Sequence, residues 1–301
     1  MKQGVLLLAH GAPEKVEDVE SYLSFVRGGR PGSPRIVEEV RHRYAAIGGS
    51  SPLLRWTRAQ AEALERLMGI PVFFGMRNWH PFIREVIEQV RGFDRLAAIC
   101  LAPQFSKLSV GLYARRTEEA KREAGIATGI TWAKSFHDEP LLIEAFAKRL
   151  RAAVAQAVAQ ASRPVSSVSR VLFTAHSLPE KALANADPYD RETRATAALV
   201  AARAGITEWD FAYQSQGMTD DQWLGPTVES VLDRYAAAGI REVVLDPIGF
   251  VCDHVEILYD IDVAFREYAA ERGITLRRPE SLNDSPTFTR ALAEVAKRCL
   301  A

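Results

Sequence analysis

Short, continuously apolar runs recur along the chain, and longer segments with a helical spacing of apolar residues lie between them. Strands that are buried on both faces have this continuous pattern, because neither face needs polar side chains. The pattern predicts eight strands: Val5–Ala9, Val72–Gly75, Leu96–Leu101, Ile130–Phe136, Val171–Ala175, Asp210–Gln214, Val243–Asp246 and Ile274–Arg277.

The segments between the strands repeat apolar residues every three or four positions, as amphipathic helices do. The predicted helices are Val16–Phe25, Ile36–Ile47, Thr57–Met68, Pro81–Val90, Leu142–Ala161, Arg191–Ala204, Thr227–Ala238, His254–Glu271 and a closing helix, Pro286–Leu300. Alternation of strands and helices requires right-handed crossovers, which make neighbouring strands parallel. We therefore predict an α/β protein with mainly parallel sheets.

The long helix that starts at Leu142 divides the predicted strands into two equal groups. We predict two similar halves, each a doubly wound, Rossmann-like unit, which are joined near residues 137–139 and face a central cleft. The first half comprises residues 1–138 and residues 285–301, whose helix packs back on it, and the second comprises residues 139–284. The Ser-, Pro- and Ala-rich residues 155–170 are expected to form a helix end and an exposed loop.

Two of the strands end in similar sequences, LLLAHGAP at residues 6–13 and LFTAHSLP at residues 172–179. His10 and His176 therefore follow equivalent strands. Ligands of open α/β sheets bind beyond the carboxyl ends of strands, so both histidines lie where binding sites are built. A histidine at a strand end is often only a hydrogen-bonded loop residue, and position alone leaves that alternative open for both.

Composition narrows the functional classes. The 301 residues are 48% hydrophobic and 25% charged, as in soluble globular proteins, and 38 basic residues balance 38 acidic ones. A balanced charge gives no general attraction to nucleic acid or to an anionic membrane. The sequence contains no apolar stretch of the roughly 18 residues that span a membrane, and its first residues do not resemble a signal peptide. We expect a cytoplasmic protein and leave loose membrane association open.

The motifs that common cofactors require are missing from the sequence. The three cysteines, Cys100, Cys252 and Cys299, are far apart and too few for the usual four thiolates of an iron–sulfur cluster. Neither GxGxxG after the first strand, nor GxxxxGK[ST], nor HExxH occurs. The glycines of IGGSSP, residues 47–52, could cradle an anion, but a turn between two helices is the simpler explanation. We expect no organic cofactor.

The densest polar cluster lies in DPIGFVCDHVEILYDID, residues 246–262. Glu256 and Asp260 are four residues apart, so a helix starting near Asp253 would place both carboxylates on one face. Such a pair repels unless a proton, water or a cation shares the site. An imidazole and a carboxylate from two loops would form an open, weak site for Fe²⁺, Zn²⁺ or Co²⁺. Simple capping of a helix by Asp253 and Glu256 is the alternative explanation.

Aromatic and basic residues are frequent in or beside the predicted loops and helix starts. The aromatic residues are Tyr22, Phe25, Tyr44, Trp56, Trp79, Phe105, Tyr113, Tyr189, Trp223 and Phe250, and the basic ones are Arg27, Arg30, Arg43, Lys107, Arg115 and Arg116. A flat apolar ligand with carboxylate arms would bind such a surface. Taken singly, each aromatic residue is more often part of a core.

These motifs together resemble the ferrochelatase family. The resemblance rests on HGAP, RYAAIGGSSPL (residues 43–53), GMRNWHPFI (75–83), LAPQFSKLSVGLY (101–113), FTAHSLPEK (173–181), DPY (187–189), YQSQG (213–217), WLGP (223–226) and GFVCDHVEILYDID (249–262), which span essentially the whole chain. It implies two Rossmann-like halves around a porphyrin cleft. It also implies insertion of Fe²⁺, as a substrate, into a free-base porphyrin during heme biosynthesis, without a nucleotide or redox cofactor.

The resemblance also implies roles for individual residues. His176 matches the family's cleft histidine, a metal ligand and acceptor of a pyrrole proton. Glu256 matches its partner carboxylate, and Asp260 would extend an acidic helix face along which iron or protons travel. The residues expected to contact the porphyrin and its propionate groups are Arg27, Arg30, Tyr44, Ser51, Tyr113 and Trp223.

The chain looks like the short, soluble bacterial form of the family, which is associated with conversion of coproporphyrin III to coproheme. Protoporphyrin IX, giving protoheme, is the alternative substrate, and we expect a monomer. One position departs from that form, because His10 stands where a tyrosine is expected to face the porphyrin metal from the side opposite His176. We therefore predict that His10 is an axial ligand of the product iron.

Two other functions fit the same architecture. A cobalt or nickel chelatase of sirohydrochlorin-like rings also uses strand-end histidines. Its usual metal site has paired histidines, whereas this sequence offers a histidine and a glutamate. A non-enzymatic heme-binding chaperone or periplasmic-type binding protein is the other alternative, and the lack of a recognisable signal peptide opposes its periplasmic version.

Overall fold

The computed structural model of the protein describes residues 1–160, 169–217 and 221–301. Every strand predicted from the sequence is present, with ends that differ by a few residues. Gly4–Ala9 is buried throughout, which explains why this strand carries no polar side chain after its first residue. The strands are β1 (Gln3–Ala9), β2 (Val72–Met76), β3 (Arg95–Cys100), β4 (Gly129–Ala133), β5 (Ser169–His176), β6 (Trp209–Gln214), β7 (Glu242–Asp246) and β8 (Thr275–Arg277).

Helices connect successive strands. They are α1 (Val19–Val26), α2 (Pro34–Ala46), α3 (Leu53–Met68), α4 (Ile83–Val86), α5 (Val110–Glu123), α6 (Pro140–Gln160), α7 (Tyr189–Ala204), α8 (Val228–Ala237), α9 (Val255–Leu258), α10 (Arg266–Ala270) and α11 (Pro286–Leu300). In the described ranges, none of them combines the length and apolarity that crossing a membrane requires. The loop predicted after α6 falls largely on residues 161–168, outside the described ranges.

Two helical segments differ from the sequence predictions. Helix α5 was not predicted, because its buried face consists of Val110, Tyr113, Thr117 and Ala120, of which only the first is strongly apolar. The helix predicted for residues 254–271 is interrupted, since a π-helical turn at Asp260–Phe265 separates α9 from α10. One wider turn shifts the helix face by a single residue, which apolar periodicity over so short a segment does not reveal.

The strands form two sheets of four with the orders β2-β1-β3-β4 and β6-β5-β7-β8, and every pairing is parallel. The order is the same in both sheets, so β1 and β5 occupy equivalent inner positions. Crossovers through helices explain the parallel pairing. The prediction of an α/β fold made of two similar, doubly wound halves is confirmed.

One large apolar core extends through both halves. It includes Val5 and Ile99 of the first sheet, Phe173 of the second, Leu150 of α6 and Phe288 of α11. Helix α11 contacts α3, β3 and β4 of the first half and also α6. The division into residues 1–138 plus 285–301 and residues 139–284 therefore stays a prediction, because this last helix packs against both groups.

Two glycines allow close approach of the loops that follow the central strands. A Cβ atom on Gly249 would lie 2.8 Å from the Cβ of Ala175, so only glycine lets the loop after β7 lie against the end of β5. Gly11 is the equivalent glycine in the loop after β1. It has a φ of +85°, and a Cβ atom on it would lie 2.7 Å from the backbone nitrogen of Trp79. Both loops thus close on the carboxyl ends of their sheets.

Candidate active site

His176 ends strand β5 at the carboxyl edge of the second sheet. Its Nδ1 makes a short hydrogen bond to the carbonyl of Ser177, and its own carbonyl accepts a 2.9 Å hydrogen bond from the hydroxyl of Tyr189. Because a carbonyl can only accept, Nδ1 carries a proton, and in the neutral ring the lone pair is therefore on Nε2. The backbone thus fixes both the tautomer and the orientation of the ring.

The Nε2 atom of His176 lies 3.6 Å from Oε2 of Glu256, and both side chains are about one-third exposed. This separation is too long for a hydrogen bond. It suits two donors to one divalent cation, each about 2.1 Å from the ion. The Oε2 atom of Glu256 is buried without a hydrogen-bond partner among the described residues, so it has an unused lone pair at this position.

A second histidine joins this pair. The Nε2 atom of His254 lies 4.0 Å from Oε2 of Glu256, and its Nδ1 is 3.0 Å from the carbonyl of Cys252. Burial lowers the pKa of His254, so this imidazole is neutral with a free lone pair near the carboxylate. The sequence prediction did not assign His254 a role. Its place directly before the helix that carries Glu256 was the available signal.

Asp260 begins the π-helical turn that follows the helix of Glu256, and its place on a shared acidic face stays a prediction. Its carboxylate accepts a 2.5 Å hydrogen bond from the hydroxyl of Ser215 and lies 3.4 Å from Nη1 of Arg43. Burial and the nearby charge of Glu256 raise the pKa of Asp260 to about 6. A group with this pKa exchanges protons near neutral pH, whereas an ordinary aspartate does not.

His10 follows strand β1 in the first half. The side-chain nitrogen of Asn78 contacts its ring, 3.0 Å from Nε2 and 3.4 Å from Nδ1. Burial, and then the neighbouring Arg77, His254 and His176, lower the pKa of His10 well below its usual value. The electrostatic influence of both second-half histidines places His10 in the same cleft, and its imidazole is neutral there.

The two aromatic residues and the serine predicted to contact the substrate from the first half are largely buried. Tyr44 is fully buried among Val19, Leu23 and Val37, and its hydroxyl has no hydrogen-bond partner among the described residues. Burial raises the pKa of Tyr44, and the nearby Tyr22 and Glu256 raise it further.

The other predicted contacts lie in both halves, and their role in binding stays a prediction. Ser51 is buried and Tyr113 is buried beneath the guanidinium of Arg77. Arg27 and Arg30 lie after α1, where Arg30 is exposed and donates to the carbonyl of Arg27. Trp223 lies in the second half, with its indole nitrogen buried and without a partner among the described residues.

A network of charged residues supports the segment that carries Glu256. Arg278 donates to both carboxylate oxygens of Asp262 and lies 3.2 Å from the carboxylate of Asp253. These two aspartates flank Glu256 in the sequence. The carboxylate of Asp253 also accepts hydrogen bonds from Ser281 and Asn283. The sequence prediction considered Asp253 as a helix cap, but the structure places His254 in the cap position.

No cluster of three or more His, Cys, Asp or Glu side chains in the described ranges has the spacing to hold a metal ion. The geometry is that of His176 and Glu256 as an open pair, with His254 slightly farther away. Open sites of this kind exchange ions more readily than closed tetrahedral ones. The arrangement can therefore bind a divalent cation and also accept a proton from a ligand in the cleft.

Comparisons with known proteins agree with this chemistry. The chain is 47% identical to a ferrochelatase of Acidobacterium capsulatum, over 98% of this chain and 94% of the relative. It is 36% identical to a coproporphyrin III ferrochelatase of Halalkalibacterium halodurans, over 100% of this chain and 98% of the relative. Both alignments run through nearly the full length of both proteins.

A solved structure shares the fold at low sequence identity. SirB from Bacillus subtilis with Fe³⁺ superimposes with a TM-score of 0.59 at 14% identity, over 100% of this chain and 96% of SirB. That likeness concerns the fold alone. The ferrochelatase family profile, in contrast, matches residues 2–300. This match and the relatives confirm the resemblance found in the sequence motifs, and the chain belongs to the ferrochelatase family.

Proposed function

We propose that the protein inserts Fe²⁺ into a free-base porphyrin during heme biosynthesis. The observation that carries this proposal is the open pair of His176 and Glu256, 3.6 Å apart in a cleft between two Rossmann-like halves. The proposal treats Fe²⁺ as a substrate and includes neither an organic cofactor nor an iron–sulfur cluster. We further propose that the protein acts as a monomer in the cytoplasm.

His176 and Glu256 have different roles in the proposed reaction. Insertion exchanges two pyrrole protons for one Fe²⁺, so the macrocycle keeps its charge and both protons must leave as the metal enters. The free Nε2 lone pair of His176 can accept a proton or hold the ion, and the unpaired Oε2 of Glu256 can hold the ion beside it. His254, whose Nε2 atom lies 4.0 Å from the same oxygen, places a second imidazole beside the pair.

Asp260 provides a route for protons away from the reacting atoms. Its pKa of about 6 allows it to accept and release a proton near neutral pH. Arg43 and Ser215 stabilise its ionised form after release. Asp260 is therefore proposed as a secondary site for iron or protons rather than as the main ligand.

The opposite face of the macrocycle belongs to His10 in this proposal. Because the pKa of His10 is lowered, its imidazole keeps a lone pair at neutral pH and can serve as an axial ligand of the product iron. Absorption and resonance Raman spectra of the heme-bound protein test this role. We expect His10→Ala to lose a nitrogenous axial ligand, and identical spectra would contradict the assignment.

We propose coproporphyrin III as the preferred substrate and protoporphyrin IX as the next. Relatives named coproporphyrin III ferrochelatase that are 35–37% identical to this chain support that choice. The residues proposed to hold the macrocycle and its propionates are Arg27, Arg30, Tyr44, Ser51, Tyr113 and Trp223. Steady-state turnover on the two porphyrins measures the preference directly, and faster turnover on protoporphyrin IX would reverse it.

A second candidate is insertion of Co²⁺ or Ni²⁺ into a sirohydrochlorin-like ring. Two histidines, His176 and His254, lie beside Glu256. This favours the second candidate, because the usual metal site of such chelatases has paired histidines. Parallel anaerobic assays with Fe²⁺, Co²⁺ and Ni²⁺ on a porphyrin and on sirohydrochlorin separate the candidates. We expect insertion of Fe²⁺ into the porphyrin to be fastest.

The same assay distinguishes an enzyme from a heme-binding protein. We expect His176→Ala and Glu256→Gln to lose about 10²- to 10⁴-fold in turnover, the range for loss of a positioned acid or base. Both variants should still quench porphyrin fluorescence on binding, because neither change removes the cleft. Unchanged turnover in both variants would refute the assignment of these two residues.

A further inference from the structure

The guanidinium group of Arg77 has no anionic partner in the part of the chain that the structure describes. It makes no hydrogen bond or salt bridge to any residue in the described ranges, and its Nη1 atom is buried. The guanidinium carbon lies over the face of the Tyr113 ring, 4.8 Å from the ring centroid. An aromatic face attracts a cation but leaves its N–H donors unsatisfied in the plane of the group.

Arg77 is half-buried and its Nη1 atom is removed from water, and such a charged donor is costly unless it is paired. The positive charge of Arg77 acts on its surroundings, since it contributes to lowering the pKa of His10 and opposes the effect of burial on the pKa of Tyr113. The protein therefore maintains an unneutralised cation inside the first half. Such a group is available to an anion that arrives with a ligand.

Arg77 lines a cavity of about 370 Å³ with a surplus of positive charge. Arg84, Arg115 and Arg116 also line it, against only Glu119 and Glu123. Glu119 lies 3.7 Å from Arg115 and 3.5 Å from Arg116, and both arginines are more than half exposed, so these ion pairs are weak. Arg84 contacts the ring of Phe82 and has no carboxylate partner among the described residues.

The cavity adjoins the face of the cleft where His10 lies. The backbone nitrogens of Arg77 and Asn78 donate to the carbonyls of Ala9 and His10, at 3.0 and 2.9 Å, so the two strand ends are in contact. Asn78 lines the cavity and also contacts the ring of His10. A macrocycle beside His10 could therefore extend an arm into the cavity while its centre faces His176.

We propose that this cavity binds one carboxylate arm of the tetrapyrrole and that Arg77 is the counter-ion of that carboxylate. The inference rests on the proposed function and names a specificity-determining residue for it. A planar guanidinium suits a carboxylate because two N–H groups can donate to its two oxygens. Substrates with more carboxylate arms, or with an arm at the matching ring position, would be favoured.

The test compares coproporphyrin III with its tetramethyl ester, which has the same ring but no charged arm. Binding of each metal-free porphyrin is followed by fluorescence quenching in the same detergent solution. We expect Arg77→Gln to weaken binding of the free acid by about 10- to 100-fold, the value of a charge-assisted hydrogen bond. Binding of the ester should change by less than about two-fold, since it has no charge to lose.

Two further variants control the experiment. Arg122→Gln removes an exposed arginine from the same helix as Arg115 but outside the cavity, and it should bind both porphyrins as the wild type does. Arg77→Lys keeps the charge without the forked geometry, and it should recover part of the free-acid affinity. Circular dichroism melting verifies that each variant is folded.

Three outcomes decide the proposal. Weakening confined to the free acid supports it. Equal weakening for acid and ester would show that Arg77 only maintains the shape of the site, and unchanged binding of both would show that no carboxylate reaches it; either overturns the proposal. Because binding uses metal-free porphyrin, these results are independent of Fe²⁺ insertion, whose absence in the wild type would instead refute the proposed function.

Discussion

His10 and His176 stand at equivalent places in two similar halves, yet their surroundings differ. His176 is one-third exposed, has Nδ1 held by a carbonyl and faces the carboxylate of Glu256. His10 contacts the neutral amide of Asn78, and the positive charge of Arg77 contributes to lowering its pKa. The same dipeptide at the same strand end thus delivers one imidazole to an acidic environment and the other to a basic one.

The difference shows that the partner, more than the strand position, determines what a histidine can do. An imidazole beside a carboxylate can bind a cation or receive a proton with charge compensation. An imidazole beside a guanidinium stays neutral and is suited to bind a metal that is already inside a macrocycle. We accordingly place the chemistry on the His176 face and product contact on the His10 face.

Arg278 offers the strongest way to disturb one side of this comparison. Its side chain is 11% exposed and joins Asp253 to Asp262 around the Glu256 segment. We expect Arg278→Gln to reduce the free energy of unfolding by about 3 kcal/mol, because two partly buried carboxylates lose the largely buried cation that they share. Turnover should also fall, while the heme spectrum that reports on His10 should be unchanged.

Arg266 is the matched control for this variant. It also pairs with Asp262, but its side chain is 48% exposed. Loss of an exposed pair costs at most about 1 kcal/mol, so Arg266→Gln should retain nearly all stability and activity in urea unfolding and turnover assays. Equal effects of the two substitutions would show that Arg278 does not position the site.

Gly249 provides a second, smaller perturbation of the His176 face. A Cβ atom there would lie 2.9 Å from the Cα of Ala175, directly before His176. We expect Gly249→Ala to cost about 1 to 3 kcal/mol in thermal unfolding, as overpacking does, and to slow turnover. Gly111→Ala in helix α5, where the nearest atom would be 3.7 Å away, should be neutral or slightly stabilising and leaves turnover unchanged.

Substitution of Asp260 should have the smallest effect, and it tests the proposed role of this residue in proton transfer. Its pKa of about 6 lies above its ordinary value of 3.8, so the folded protein holds this proton more tightly than the unfolded chain does. Stability contributed by the protonated form is therefore lost as the pH rises from about 4 to about 6, and Asp260→Asn should flatten this decline in urea unfolding. The rise of turnover with pH around 6 should also disappear in Asp260→Asn; a retained rise would exclude Asp260 as the titrating group.

The strands were predictable from the sequence because their burial on both faces leaves continuous apolar runs, as in β1 and β7. Helix α5 escaped prediction because Tyr113, Thr117 and Ala120 form a buried face of low apolarity. The π-helical turn at Asp260–Phe265 left no periodic signal over six residues.

The site was predictable only where its residues lie within one motif. Glu256 and Asp260 could be singled out because a spacing of four residues puts two side chains on one face of a regular helix, although the π-helical turn at Asp260–Phe265 interrupts that helix. Arg77 could not be identified in this way. Its lack of a carboxylate partner among the described residues depends on which side chains the fold brings near the guanidinium group. Tyr44 is buried in a core with α1, which the sequence did not indicate, and its contact with the substrate stays a prediction.

The most direct test of the account is a single-turnover insertion experiment on His176→Ala and His10→Ala. Each variant is loaded with metal-free porphyrin and mixed anaerobically with excess Fe²⁺, and the absorbance change of metallation is followed. The account predicts a loss of about 10²- to 10⁴-fold in the insertion rate for His176→Ala. It predicts less than about a ten-fold change for His10→Ala, whose product spectrum alone should be altered. A larger loss in His10→Ala than in His176→Ala would contradict the account, because the chemistry would then lie on the other face.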